Sequence, residues 1–302
     1  MNIRRETGQA LLLSVLFLAG IMGMAALVLD VGSWFREKRQ LQATADAAAL
    51  AGAQALPTSP SAATTLALRY AGANGGGVAS ANIVITSGLG ANDTIKIDAQ
   101  ANAPGFFSKV FGVDLVNVGA SAAARAALPV AAQYVAPMVV SDKHPLLAGP
   151  GCPCFRRQTT LGYDPMGAPG AFGMLNLFGD SGTPGSSDEA YWILHGFDKY
   201  LPLGDYRSDP GAKFSSSNVQ GALDGRVGTV LLFPVFHVLG GGGQNAVYTI
   251  VGWVGFHLDS YTVNGNNATL SGYFTQFIAK GIQSSTGTNQ PDFGVRTIQL
   301  IH

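Results

Sequence analysis

Charge is what this chain has least of. Only 12% of its 302 residues are Asp, Glu, Lys or Arg, about half the usual share, and the 18 basic side chains balance the 18 acidic ones. No net field exists to steer DNA, RNA or an acidic substrate, which excludes nucleic acid as the default partner. Cysteine is nearly absent too, and two residues make neither a disulfide framework nor a Cys-based zinc site. The 40 glycines follow no G-X-Y period, which excludes collagen and predicts many turns. What is abundant is apolar surface, with 47% of residues hydrophobic.

The longest uncharged run is Ala10 to Leu29, ALLLSVLFLAGIMGMAALVL. About 20 residues at about 1.5 Å rise span roughly 30 Å, the thickness of a bilayer's hydrocarbon core. A cleaved secretory signal is the rival, but its apolar core is usually about 7–15 residues and ends at a small-residue cleavage site. Here Asp30-Val31-Gly32 leads straight into more helix. The expectation is therefore a retained single-pass anchor. Arg4 and Arg5 precede the span while Arg36, Lys38 and Arg39 follow it, so the positive-inside count leaves orientation open. A short tail, 1–9, inside and a long body outside is the simpler topology, because long domains cross largely regardless of charge.

Beyond the span, SWFREKRQLQATADAAALAGAQAL consists mostly of strong helix formers, and Pro57 and Pro60 stop it. The helix should continue outward as a stalk from Asp30 to Leu56. Small residues recur every four positions at Ala45, Ala49 and Ala53, and inside the span at Ala19 and Gly23, inviting close approach of another helix. That helix belongs either to the chain's own body or to another subunit, including a second copy.

Gly8-Gln9, the apolar span, Asp30-Val31-Gly32, Arg39-Gln40-Leu41-Gln42 and Thr44-Ala45-Asp46-Ala47-Ala48-Ala49-Leu50-Ala51-Gly52-Ala53, in that order, resemble the TadE/TadG-like proteins of the Tad (Flp) pilus-assembly system. The resemblance is close over about the first 55 residues and looser to about 128. It implies a single-pass protein of the bacterial cell envelope with a cytoplasmic N-terminus and a pseudopilin-like outer body. Such a protein assists assembly or anchoring of a fibre, with other pilus-assembly or pilin subunits as partners. Some relatives are cleaved after a glycine by a prepilin peptidase and carry a glutamate five residues on. Gly8 occupies the first position, but Leu13 stands at the second, which weighs against cleavage after Gly8 and against incorporation into the shaft.

The body reads as α+β. Residues 61–74 suggest a short helix with Leu66, Tyr70 and their neighbours inward. Strands are expected at 82–86, at 94–101 with Ile95, Ile97, Ala99 and Ala101 on one face, and at 115–127 with Val116, Val118, Ala120 and Ala122 aligned. Residues 30–128 are thus expected to form a helix on a small antiparallel sheet, which agrees with the pilin-like body that the resemblance implies. Alanine falls and glycine, proline and aromatics rise after Pro129, placing a linker at 129–140 and a β-rich, loop-rich domain at 141–302. There Ser186-Ser187-Asp188-Glu189 suggests a capping box, 227–238, 246–258, 260–263 and 269–278 suggest strands, and Asn264-Gly265-Asn266-Asn267 a hairpin turn.

Chemistry has few footholds. Gly179-Asp180-Ser181-Gly182 looks like the nucleophile loop of chymotrypsin-like proteases, with His144 and Asp164 upstream. Too little chain precedes it for the upstream barrel, so a surface turn is the better reading and a hydrolase using Ser181 the minor alternative. Cys152 and Cys154 either form a disulfide, with each other or with another chain, or remain free beside Arg156 and Arg157; a metal would need more ligands, such as His144. His195, His237 and His257 read as structural, and Asp205, Asp209 and Asp224 lack EF-hand spacing. Gly240 to Gly243 has no P-loop lysine and reads as a flexible linker, and the Asn92 and Asn267 sequons are chance matches. No catalytic residue, metal or cofactor is expected, and the function is assigned to protein contacts, with a minor pilin or ligand-binding adhesin as the alternative.

Overall fold

The structure, a computed structural model, describes residues 7–179, 182–209, 211, 213–242, 245–284 and 290–301. The fold is α+β, with a long apolar N-terminal helix and a β-rich C-terminal body. It divides into two compact units, one holding the described residues up to Arg125 with Leu300 and Ile301, the other Ala126–Gln299.

In the first unit α1 (Thr7–Ala53) is one unbroken helix of 47 residues. It stops short of Leu56 because Gln54, Ala55 and Leu56 tighten into i→i−3 bonds before Pro57. Its surroundings change at Asp30. Residues 9–29 are exposed apart from half-buried Ala26, whereas Leu41, Ala45, Ala48, Ala49 and Ala53 are covered. The cover is α2 (Pro60–Ala73), whose first turn is capped by Ser59 Oγ accepting from Ala62 N, and an antiparallel meander of β1 (Ile83–Thr86), β2 (Thr94–Pro104) and β3 (Leu115–Ala127). Ile95, Ile97 and Ala99 point inward and Lys96 and Gln100 outward, the alternation expected of a half-buried strand.

The buried face of α2 is Ala63, Ala67 and Ala71, so the neighbours Ala67 and Ala71 turn inward while Leu66 is half-buried and Tyr70 is exposed. The reason lies across the helix pair at Gly52. A Cβ there would lie 2.6 Å from Ile95 Cδ1, 3.0 Å from Ala63 O and 3.3 Å from the Ala67 Cβ. Backbones this close leave room only for alanine between them.

The second unit is built on a closed ring of six strands. Their order is β10 (Val230–Gly240), β5 (Met138–Ser141), β7 (Ala171–Met174), β6 (Gln158–Tyr163), β12 (Asn267–Thr275) and β11 (Val247–Asn264), which returns to β10. β9 (Gly204–Arg207) adds to β11. β4 (Pro129–Ala132) pairs with β8 (Leu201–Pro202) and β14 (Gly281–Gln283), and β13 (Phe277–Ile278) runs parallel to β15 (Val295–Ile301). Three helices, α3 (Pro145–Ala148), α4 (Ser186–His195) and α5 (Ser217–Asp224), complete it. Phe172, Phe214, Phe233, Phe256 and Phe274 belong to its core.

Several expectations are corrected here. Residues 129–140 are not a linker but hold β4 and most of β5, with Ala132, Val135, Met138, Val139 and Val140 buried; Pro129 suits the first position of a strand, where no N–H is needed. The 246–258 and 260–263 strands are one strand, β11, whose register shifts between Leu258 and Ser260. Gly240 pairs with Val247, so the glycine run belongs to the β10–β11 hairpin rather than a flexible linker, although residues 243–244 lie outside the described residues. The α4 cap is Gly185, whose N–H donates to Asp188 at 2.8 Å, while Glu189 turns inward.

Candidate functional site

Among the described residues, the longest run of exposed apolar side chains is on the helix from residue 9 to residue 29. Leu11, Phe17, Met22 and Val28 are each about 70% exposed, and this is the one helix among the described residues long and apolar enough to cross a membrane. Such a surface in water would be an aggregation liability; in lipid it is the ordinary face of a spanning helix. Nothing lies within 4 Å of a Cβ built on Gly23, and Ala19 is exposed, while Ala45, Ala49 and Ala53 are buried within their own unit.

Where the apolar run ends, Asp30 is tied to the loop between β2 and β3. Its carboxylate accepts three backbone amides, from Phe106 at 2.8 Å, Phe107 at 3.1 Å and Ser108 at 2.6 Å. A charged acceptor shared by three amides is strongly held. Four residues on, the Trp34 indole donates to Pro104 O at 3.3 Å. The loop is closed on itself: Gly105 N donates to Asp114 O, the Ser108 hydroxyl to Val113 O, and Gly112 takes the left-handed conformation with φ 80°. A side chain at Gly105 would meet Ser108 Oγ at 1.9 Å, so only glycine fits.

Helix and strand lengths explain why Asp30 meets this loop. From Asp30 to Gly52 the helix rises about 33 Å; from Phe106 back to Ile95 an extended strand covers about 36 Å. Gly52 faces Ile95 at one end, so Asp30 faces Phe106 at the other.

The remaining expected sites stay apart. Asp180 and Ser181 lie outside the described residues. His144 is buried, accepts the Leu146 amide through Nδ1 and packs edge-on against Phe274, and burial pushes its pKa down; Asp164 instead caps its own turn at Met166. Cys152 and Cys154 are joined to each other. Arg156 donates its backbone N–H to Phe274 O, and Arg157 is exposed. His237 pairs with Asp142 and His257 with Asp259, while His195 packs against Tyr191. Asp205 accepts from Thr249, Asp224 from Tyr261, and Asp209 binds Lys213. Among the described residues no three His, Cys, Asp or Glu converge as metal ligands.

Two buried charge clusters have structural geometry. In the first unit Asp93, next to the Asn92 sequon position, accepts from Gly88, Leu89, Gly90 and Thr94. Burial alone would raise its pKa, but these donors outweigh it and hold it below the ordinary value. In the second, buried Glu189 receives both the ammonium (2.8 Å) and the backbone N–H (3.1 Å) of Lys213. Burial leaves Glu189 with a raised pKa despite its cation, and the two carboxylates raise that of Lys213.

The second unit also has a cleft of about 290 Å³ lined by Gln133, Tyr134, Trp192, His195, Arg226 and Lys280, among others. Gln133 Oε1 and Arg226 Nε are buried there without a hydrogen-bond partner.

Residues 8–55 match the family model Tad, described as Putative Flp pilus-assembly TadE/G-like. The match covers the apolar run, Asp30 and the buried Ala45, Ala49 and Ala53. No curated protein and no solved structure matches the chain. The Asp30 clamp was missed in sequence because its loop has no motif; the signal available was the apolar cluster Phe106-Phe107 with Val110-Phe111 in a hairpin connection bounded by Gly105 and Asp114.

Proposed function

We propose that the chain is a non-enzymatic, single-pass envelope protein that assists assembly or anchoring of a Tad-type pilus through protein contacts. Residues 10–29 hold it in the cytoplasmic membrane, the N-terminus stays inside and the body lies outside. The observation that carries this reading is the family match at 8–55 falling on a helix that is bare and apolar up to Leu29 and packed from Leu41 onward. A helix with that division fits one end in lipid and the other in a folded body. Its test is genetic: removing the protein abolishes surface fibres, the intact chain restores them, and a chain with charges placed between Leu13 and Leu27 does not. Fibres at normal level without the protein would refute it.

A minor pilin or adhesin is the second reading, favoured by the cleft of the second unit, lined by polar and aromatic side chains such as Gln133, Tyr134, His195 and Lys280. Recovery of the protein in sheared fibres, with its N-terminus at Gln9, supports that version.

A further inference from the structure

The β2–β3 loop carries an unusual surface. Phe106, Phe107, Val110, Phe111, Val113 and Leu115 are all large, apolar and exposed, with Val110 at 82% and Phe111 at 84%. Only Lys109 and Asp114 bear charge between Gly105 and Leu115. The loop is not simply unpacked chain, since its internal hydrogen bonds and the Asp30 clamp fix it. These side chains are therefore held outward, uncovered by the rest of their unit, directly where the exposed apolar helix ends.

We propose that this loop is a second membrane contact: its aromatic tip inserts into the interface of the same bilayer that residues 10–29 span. The occupant follows from continuity. Asp30 joins the loop to the last apolar turn of α1, so a bilayer meeting Leu29 meets Phe106 to Phe111 as well. The chemistry also matches. Apolar side chains such as Phe bury at the boundary between headgroups and acyl chains, while Lys109 and, on the helix, Arg36, Lys38 and Arg39 suit anionic headgroups just above. Asp30, a carboxylate at the edge of lipid, has its oxygens occupied by three amides instead of water. One helix alone leaves its body free to swivel and tilt; a helix plus a fixed loop gives two points of attachment.

This inference rests on the membrane reading of residues 10–29, and its test separates the two. The full chain, its two native cysteines joined and unreactive, is spin-labelled at Phe111→Cys, Leu18→Cys or Val84→Cys and placed in phosphatidylethanolamine–phosphatidylglycerol vesicles. Collision with dissolved oxygen, which concentrates in lipid, is compared with collision with a water-soluble nickel chelate. The expected result is oxygen dominance at 18 and 111 and nickel dominance at 84. Nickel dominance at 111 with oxygen dominance at 18 overturns the loop proposal alone. Shielding of 111 from both reagents overturns it in favour of a contact with another copy of the chain. Nickel dominance at 18 overturns the spanning reading itself. Phe111 is so exposed that its replacement leaves the fold intact.

Discussion

The Asp30 carboxylate accepts the Ser108 amide at 2.6 Å across 78 residues of sequence. That bond sits where the apolar part of α1 gives way to the packed part, and it fixes the end of the β2–β3 hairpin against the helix. Replacing Asp30 by Ala leaves the amides of Phe106, Phe107 and Ser108 without their acceptor. Their hydrogen exchange should accelerate toward that of an open loop while residues 94–103 stay protected. Asp30→Asn, which keeps one acceptor oxygen, should fall between.

Gly52 tests the close packing of α1 on α2 and β2. Gly52→Ala forces a Cβ against Ile95 Cδ1 and the Ala63 carbonyl and should cost about 1–3 kcal/mol by overpacking. Denaturant unfolding of the detergent-solubilised chain measures it. Ile95→Val removes the closest atom, so the double variant should be more stable than the sum of the single losses.

Lys213 pairs with two buried carboxylates, at 2.8 Å from Glu189 and 3.3 Å from Asp209. Lys213→Met strands them and should cost about 3–5 kcal/mol, read as a lower unfolding midpoint. Adding Glu189→Gln to that variant should recover part of the loss. Recovery is expected because the unpaired Glu189 charge, not the missing lysine contacts, is the larger cost.

Asp93 gives the first unit an acid-sensitive turn. Its folded pKa lies below its ordinary value of 3.8, so its contribution to stability is complete above about pH 5 and is lost as pH falls through the folded pKa. Urea midpoints between pH 6 and pH 3 should fall more steeply for the natural chain than for Asp93→Asn, which starts lower and is flatter.

Legibility in the sequence followed the range of the interactions. The α1 helix, the alternation in β2 and the Asn264–Asn267 turn depend on neighbours within a few residues, and periodicity exposed them. The α2 face was partly misread because Leu66 and Tyr70 look like core until Gly52 is known to bring the two backbones together. The β4 and β5 strands are short and gain their partners from β14, β8, β7 and β10 far along the chain, so local composition resembled a linker. At the candidate site the span and Asp30 were visible, but their partner loop was 78 residues away.

Protease treatment of spheroplasts, followed by carbonate washing of their membranes, tests the central claim most directly. An anchored chain with its body outside predicts that full-length protein disappears, that residues beyond 60 are digested, and that a short fragment containing 10–29 stays in the washed membrane. Intact protein after digestion, or release of the untreated chain by carbonate, would contradict that account.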